Sequence, residues 1–459
     1  MPGGEQSSSL YTTSTSGALN NLLKEIYGGV NMIARQRRKT YDLLSKSKRP
    51  MSGKYWLSAD HMEGGSGAVG SRPDGVELPP SRQEIYANAR VYDKFHYAGI
   101  RLTGPVMAHA KGDLSSFVNV LTSEVEHKTN WLIDLLNIEF YQDGWGVIAT
   151  VVSVAGSVLT VTTPNSLWLK KGVRFDIYSS TWKTATTAVK HEKSGVAGVP
   201  ATRQGHTIAS VAVGATTTVT ITGDTLFVTM AGAPAATDLA ADTPVAGDFL
   251  VFEDLMGGAG NDVSSGNSRE SDVVGGEGAG LSGLDVMVDT TTNAASYQSV
   301  DRAAFPEYSG NVLANGGVAR PLTLDLLQRA SDEVLKFSGR EPDTWMSGLG
   351  QRRNLLSLGL PDVRHGSEQI KLGYKVLNFN GSDWFVDEIC QSSRVYALCR
   401  ENNIYRYESV PLGPLSSDGL PLWERIPGFD VREQYLGTFF NTGCDRPQCN
   451  AKLTDLQEP

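Results

Sequence analysis

The feature that most restricts the fold of this chain is one long amphipathic run, Asp113 to Tyr141. Leu114, Phe117, Val118, Leu121, Val125, Leu132, Leu135 and Leu136 recur at helical spacing, so a single helix with one apolar face is expected over the whole run. Asp113 can cap its start by accepting free backbone N–H groups, and Gly144 stands just past its end. At about 1.5 Å per residue such a helix measures about 42 Å. Ordinary helices have only about 10–14 residues. A spine of that length suits an extended structural subunit better than one wall of a compact enzyme.

Around the spine the chain changes character several times. Residues 1–18 are rich in Ser, Thr and Gly and read as an arm. An amphipathic helix is expected at 19–32, with Leu19, Leu22, Leu23, Ile26 and Met32 on one side. A basic run follows, Arg35, Arg37, Arg38 and Lys39 continuing to Lys46 and Lys48; it reads as a solvated linker or a contact for an acidic partner. Residues 53–104 read as a two-stranded excursion broken at its tip by Gly64, Gly65, Gly67, Gly70, Pro73, Gly75, Pro79 and Pro80. On its return arm Ile85, Ala87, Ala89 and Val91, then Phe95 and Tyr97, alternate with other residues as in a half-buried strand. A hairpin this long cannot bury its own apolar face, so it is expected to lie on something else, such as another copy of the chain.

Beyond the spine, residues 147–254 are dominated by Val, Thr, Ala and Gly and echo themselves. Thr150–Val154 resembles Thr207–Val211, Leu159–Thr162 resembles Val219–Thr222, and Lys171–Phe175 resembles Ala246–Leu250. Short strands with turn signals at this spacing predict a small β-barrel or sandwich whose two halves pair. A Gly, Ser and Asp loop covers 255–283, and Leu284–Val288 reads as a strand. A second helix is predicted at 323–338, capped by Thr323 and ended by Gly339, with the stripe Leu326, Leu327, Ala330, Val334 and Phe337. Strands are predicted at 344–346, 374–379, 384–389, 394–398 and 404–407, a helix at 350–358, a hairpin turn at Asn380-Gly381 and a last strand at 429–440. The chain is therefore expected to be α+β.

No catalytic pattern emerges. The seven histidines, His61, His96, His109, His127, His191, His206 and His365, show no zinc-binding spacing. There is no Gly-x-Ser-x-Gly elbow and no phosphate-binding loop. Two Gly-x-Gly-x-x-Gly strings occur, at Gly65-Gly67-Gly70 and Gly278-Gly280-Gly283, each without the strand and helix that dinucleotide binding requires, so both read as flexible loops. The four cysteines are too few for a disulfide scaffold; Cys444 and Cys449 alone make no metal site, and Cys390 and Cys399 read as buried thiols. A net charge of −9 argues against a protein that coats DNA. The polar start, Met1 to Ser9, and the shortness of runs such as Gly146–Val152 predict a soluble protein of the cytoplasm without membrane contact. The expectation is a protein that is not an enzyme, with no catalytic, cofactor-binding or metal site.

The order of parts, together with the run Ile100-Arg101-Leu102-Thr103-Gly104-Pro105-Val106 and then Ala110-Lys111-Gly112-Asp113-Leu114-Ser115-Ser116-Phe117, resembles the major capsid proteins of tailed bacteriophages, the Hong Kong 97-like fold. Tyr141-Gln142-Asp143-Gly144-Trp145-Gly146 is similar to the family's exit from the spine helix. Pro321–Leu327 with Pro342–Ser347, then Gly373–Val376 and Val395–Leu398, is similar to its axial domain. The resemblance implies an N-terminal arm (1–50), an extended loop (51–104), a peripheral domain with the spine helix (105–146), an inserted β-barrel (147–254), a loop returning to the peripheral domain (255–320), an axial domain (321–428) and a C-terminal strand and tail (429–459). It implies hexameric and pentameric capsomers of an icosahedral shell around double-stranded DNA held without sequence-specific binding. It also implies a scaffolding protein and a portal during assembly, a decoration protein as a further partner, and a place in the virion after assembly in the host cytoplasm. An encapsulin-like nanocompartment shell protein and a β-rich phage surface-binding protein are the alternatives.

Overall fold

The computed structural model describes residues 43–53, 55–63, 71, 73–76, 85–103, 114–155, 158–178, 180, 190–191, 206–213, 217–221, 244–252, 280–290, 296–363, 377–415, 424–425 and 428–458. The arm and helix expected before residue 43, the loop tip at 64–70 and the Gly-rich stretch 255–279 lie outside these. The chain divides into two compact units, one of 1–56, 92–137 and 405–442, the other of 57–91, 138–404 and 443–459. The architecture is mixed α+β, and the expected spine is a helix, Leu114–Phe140. Past its end Gly144 takes the left-handed conformation at φ 84° that a side chain would disfavour. Among the described residues no helix is long and apolar enough to cross a membrane.

The first unit is organised by a sheet in which Ser45–Lys46, Ile404–Pro414 and Val431–Cys444 lie side by side, with Phe95–Thr103 along the other edge of Val431–Cys444. The last pairing is antiparallel and runs unbroken from Phe95↔Phe439 to Thr103↔Val431. This differs from the sequence expectation. Tyr55–Glu63 and Ile85–Tyr92 do form a hairpin, but Phe95–Thr103 leaves it and joins a strand far along the chain. The side-chain phase also changes at Asp93-Lys94. Ala87, Ala89 and Val91 are buried as expected, whereas Phe95 and Tyr97 face outward and His96 and Ile100 are buried instead. The hairpin's inner face is thus covered within the chain, and the Arg90 N–H donates to the Gln298 carbonyl at 2.8 Å.

The second unit holds two sheets. Its mixed sheet has the order Asn311–Leu313, Ala451–Leu453, Val395–Leu398, Thr344–Ser347, Ser382–Val386, Leu377–Phe379. The helix Leu324–Ser338 packs on it through Leu326, Leu327, Ala330 and Val334. Burying each Leu or Val fully is worth about 1.5–3 kcal/mol. The helix ends are as the sequence predicts: the Thr323 hydroxyl accepts from the Leu326 N–H at 3.2 Å, and Gly339 is left-handed at φ 70°. Phe337, placed in the apolar stripe by spacing, is instead 42% exposed beneath the Lys336 ammonium. Trp345 and Trp384 stack in the core with ring centroids 5.5 Å apart. Asn380 and Gly381 both have positive φ, as their hairpin turn requires. Leu284–Met287, expected as a strand, is one helical turn, closed by the Met287 N–H on the Gly283 carbonyl and the Val288 N–H on that of Leu284. Leu284, Val286, Met287 and Val288 are all buried, so their pattern carries no strand alternation.

The other sheet is closed. Going round, it runs His206–Ala212, Thr217–Ile221, Val158–Thr162, Val147–Ala155, Phe249–Phe252, Arg174–Tyr178 and back to His206–Ala212, with Lys190–His191 beside Arg174–Tyr178. These strands pair only with one another among the described residues. The ring encloses a core of Val151, Leu159, Val161, Phe175, Ile177, Ile208, Val219 and Leu250. Closure removes free strand edges. The connection 163–169 ties the ring to the turn at 388–392: the Asn165 side chain donates to the Glu388 and Cys390 carbonyls at 2.8 Å, and the Trp168 indole to that of Ile389 at 2.9 Å.

Candidate functional site

The groups that could carry chemistry are placed for support. Among the described residues no three His, Cys, Asp or Glu side chains are arranged to hold a metal ion. His127 is exposed on the long helix, and His61, His191 and His206 belong to three different strands. His109 and His365 lie outside the described residues. All four cysteines are buried, and none of them is in a disulfide. Burial pushes the Cys390 and Cys444 thiols well above their ordinary range, and the Cys444 sulfur accepts from the Asn450 side chain at 3.4 Å.

His96 has a pH consequence for stability. It is buried beside Phe440, and burial, aided by the nearby Lys94 charge, lowers its pKa to about 3. The folded state therefore keeps it neutral while the unfolded chain takes up a proton below about pH 6.5. Its contribution is fully present above that pH and is lost as pH falls toward 3, at about 1.4 kcal/mol per pH unit. Urea unfolding at pH 7 and pH 4.5 should show this loss, and His96→Gln should flatten it. An unchanged slope in the variant would place the acid sensitivity elsewhere.

The string Gly278-Gly280-Gly283 is neither a nucleotide loop nor slack chain where it is described. The Gly280 N–H donates to the Gly144 carbonyl at 2.9 Å, and the Leu281 N–H to the buried Glu139 carboxylate at 3.1 Å. A Cβ added to Gly283 would lie 2.6 Å from the Phe140 carbonyl oxygen and closer still to those of Glu139 and Gln142. The glycine is there so that two backbones can touch. The other string, Gly65-Gly67-Gly70, lies outside the described residues.

Close by in the same unit, Asp285 accepts from Arg394 and from the Lys452 ammonium, the latter at 2.8 Å, while Asp289 stands 3.4 Å from the same ammonium. Burial alone would raise the Asp285 pKa. Arg394 first, then Lys452, hold it well below the usual carboxylate range. The two cations are matched by two anions, and the Asp285 carbonyl takes a further Lys452 proton at 3.0 Å. The cluster is an ionic tie of two cations with two anions, not a reactive constellation.

What the first unit does present is an outward aromatic face. Phe95, Tyr97 and Tyr435 are 54%, 55% and 47% exposed. Phe95 and Tyr97 both meet Phe439 edge-on, at 5.0 and 5.5 Å. Tyr435 lies over Gly99, where a side chain would crowd it at 3.3 Å. The Arg101–Glu433 ion pair, 2.6 Å long, rims this face. In the second unit, Leu57 and Tyr86 of the hairpin are 45% and 60% exposed. Contiguous apolar surface with a polar rim is the mark of a protein contact. The sequence showed these aromatics but assigned Phe95 and Tyr97 to the buried side.

No protein-family model and no curated protein matches the chain. Solved structures do. The Cyanophage A-1(L) capsid asymmetric unit contains a chain that aligns with 91% of this one and 93% of itself, at 10% identity and a TM-score of 0.50. The fold is that of a phage capsid subunit. Two further similar structures are Gordonia phage Cozz, at 7% identity over 91% of this chain and 86% of that one, with a TM-score of 0.40, and the virus-like particle from Pyrococcus furiosus, at 9% identity over 94% and 98%, with a TM-score of 0.33. The capsid fold thus rests on a shared backbone course rather than on shared residues, as an identity of 10% requires.

Proposed function

We propose that the chain is a major capsid protein that assembles as hexamers and pentamers into an icosahedral shell around double-stranded DNA. The observation that carries this reading is the likeness to the cyanophage capsid chain over nearly the full length of both. The outward aromatic face of Phe95, Tyr97 and Tyr435 supports it, because a shell subunit must meet its neighbours through exposed surfaces. On this reading residues 1–50 are an arm, 51–104 a loop reaching a neighbour, 147–254 an inserted β-domain and 321–428 the axial domain. The net charge of −9 suits a wall that encloses DNA without gripping it. Scaffolding, portal and decoration proteins are the partners proposed for assembly, which takes place in the host cytoplasm. No catalytic role is proposed.

Electron microscopy of the purified protein should show closed shells or capsomers. A monodisperse monomer at high concentration in sedimentation, with no shells, would overturn the proposal, and shells filled with a cargo enzyme would turn it to the nanocompartment alternative. Deleting residues 64–73 should leave the circular dichroism spectrum intact while reducing shell yield at least about tenfold, because a Gly-rich tip adds little to any core. Normal assembly of that variant would remove the loop from the list of inter-subunit contacts.

A further inference from the structure

The closed sheet is built twice from one pattern, strand by strand. In the first stretch Val151 pairs with Val161, the register then shifts, and Ser153 and Val154 pair with Thr160 and Leu159. In the second, Ile208 pairs with Ile221, the register shifts at the same place, and Ser210 and Val211 pair with Thr220 and Val219. The turn that follows is also repeated. The Gly172 N–H donates to the Ile208 carbonyl and the Ile208 N–H to that of Val173, at 2.8 and 3.0 Å. Its counterpart is the Gly247 N–H on the Val151 carbonyl and the Val151 N–H on that of Asp248, at 2.9 and 2.7 Å. Both glycines have the positive φ this turn needs, 85° and 100°.

The pairings between the stretches obey a two-fold relation. Leu159 faces Val219, with Thr160↔Thr218 and Val158↔Thr220 on either side. At the other crossing Asp176 faces Val251, flanked by Phe175↔Phe252 and Ile177↔Leu250. Arg174↔Thr207 at one joint between the halves matches Phe249↔Thr150 at the other. Counterparts share their burial: Val151 and Ile208, Leu159 and Val219, Phe175 and Leu250 all lie in the one core. Among the described residues the third strand of each stretch pairs with neither of the other two strands of its own stretch, and only the two-residue strand Lys190–His191 lies beside Arg174–Tyr178 from the same side of the repeat. Neither half can therefore complete its ladder or its core without the other.

We infer that residues 147–252 are a tandem duplication of one β–β–turn–β unit, and that the surface each unit presents is shaped to receive a second copy of that unit. The contact between the halves is isologous, as in a two-fold dimer, because each crossing pairs a position with its own counterpart. The copies differ where the domain is attached: Asn165 and Trp168, which hold the ring to the turn at 388–392, lie in the connection of the first unit.

The test is a graft in the full-length chain, placing Ala149–Thr162 where His206–Thr222 stands. In the core this exchanges Ile208 for Val and Val219 for Leu, one methylene lost and one gained, which a packed core tolerates, and it also puts Val in place of Ile221. Hydrogen exchange of the unassembled chain at Val158–Thr162, which pairs with the grafted strand, should stay within about tenfold of the parent. The same graft with one alanine inserted ahead of the first strand inverts its inward and outward residues and should lose that protection. The reciprocal graft, His206–Thr222 in place of Ala149–Thr162, should behave like the first. Equal loss of protection in the in-register and shifted grafts would overturn the inference. Shell formation plays no part in the measurement, so it stands or falls apart from the capsid reading.

Discussion

Gly283→Ala is expected to cost about 3 kcal/mol or more, at the upper end of what a single added methyl does. The methyl would be driven against the carbonyls of Glu139, Phe140 and Gln142. These are the last turn of the long helix and the residue leaving it, so they cannot retreat without breaking the Tyr141–Ile138 and Gln142–Glu139 hydrogen bonds of 3.0 Å. Gly280→Ala meets only the Gly144 carbonyl, at 3.0 Å, and the end of the Glu139 side chain, so it should cost distinctly less. Denaturant unfolding of the two variants checks the order. Equal and small losses would mean that the 280–283 segment does not seat against the helix end.

Asp285→Ala is expected to be at least as damaging, at about 3–5 kcal/mol, because it strands the buried Lys452 ammonium and removes the partner of Arg394. Asp289 alone cannot neutralise both cations. Adding Lys452→Met to the variant should recover more than about 1 kcal/mol, since one stranded charge is then gone. A loss below about 1 kcal/mol for the single change would show that the tie is wet enough to be replaced by water.

The sequence was informative wherever the determinant is local. Thr323 and Gly339 mark the ends of their helix because a cap needs only one hydroxyl or one missing Cβ. The paired halves of the small barrel could be read because the same strand and turn chemistry is written twice. The partner of Phe95–Thr103 could not. Arg101 and Glu433 are 332 positions apart, and nothing in either strand names the other. The outward face was misread for a related reason. Phe95 and Tyr97 carry more apolar surface than His96 and Ala98, so hydrophobicity alone turns the strand inside out, and only the packing of its other face, where His96 and Ile100 are buried, decides the phase. Gly280 and Gly283 were hidden for a third reason: close backbone approach and loop freedom select the same residue.

The order of the mixed sheet sets a schedule for the chain as it is made. Ala451–Leu453 lies inside that sheet, between Asn311–Leu313 and Val395–Leu398, so its two neighbours cannot pair through it until it has been synthesised. With strands about 4.8 Å apart, they wait across a gap of about 10 Å. The helix Leu324–Ser338 meanwhile lacks part of its floor, because Ala451 and Leu453 belong to its core. A ribosome-bound chain is thus held short of its finished surface until translation has passed residue 453.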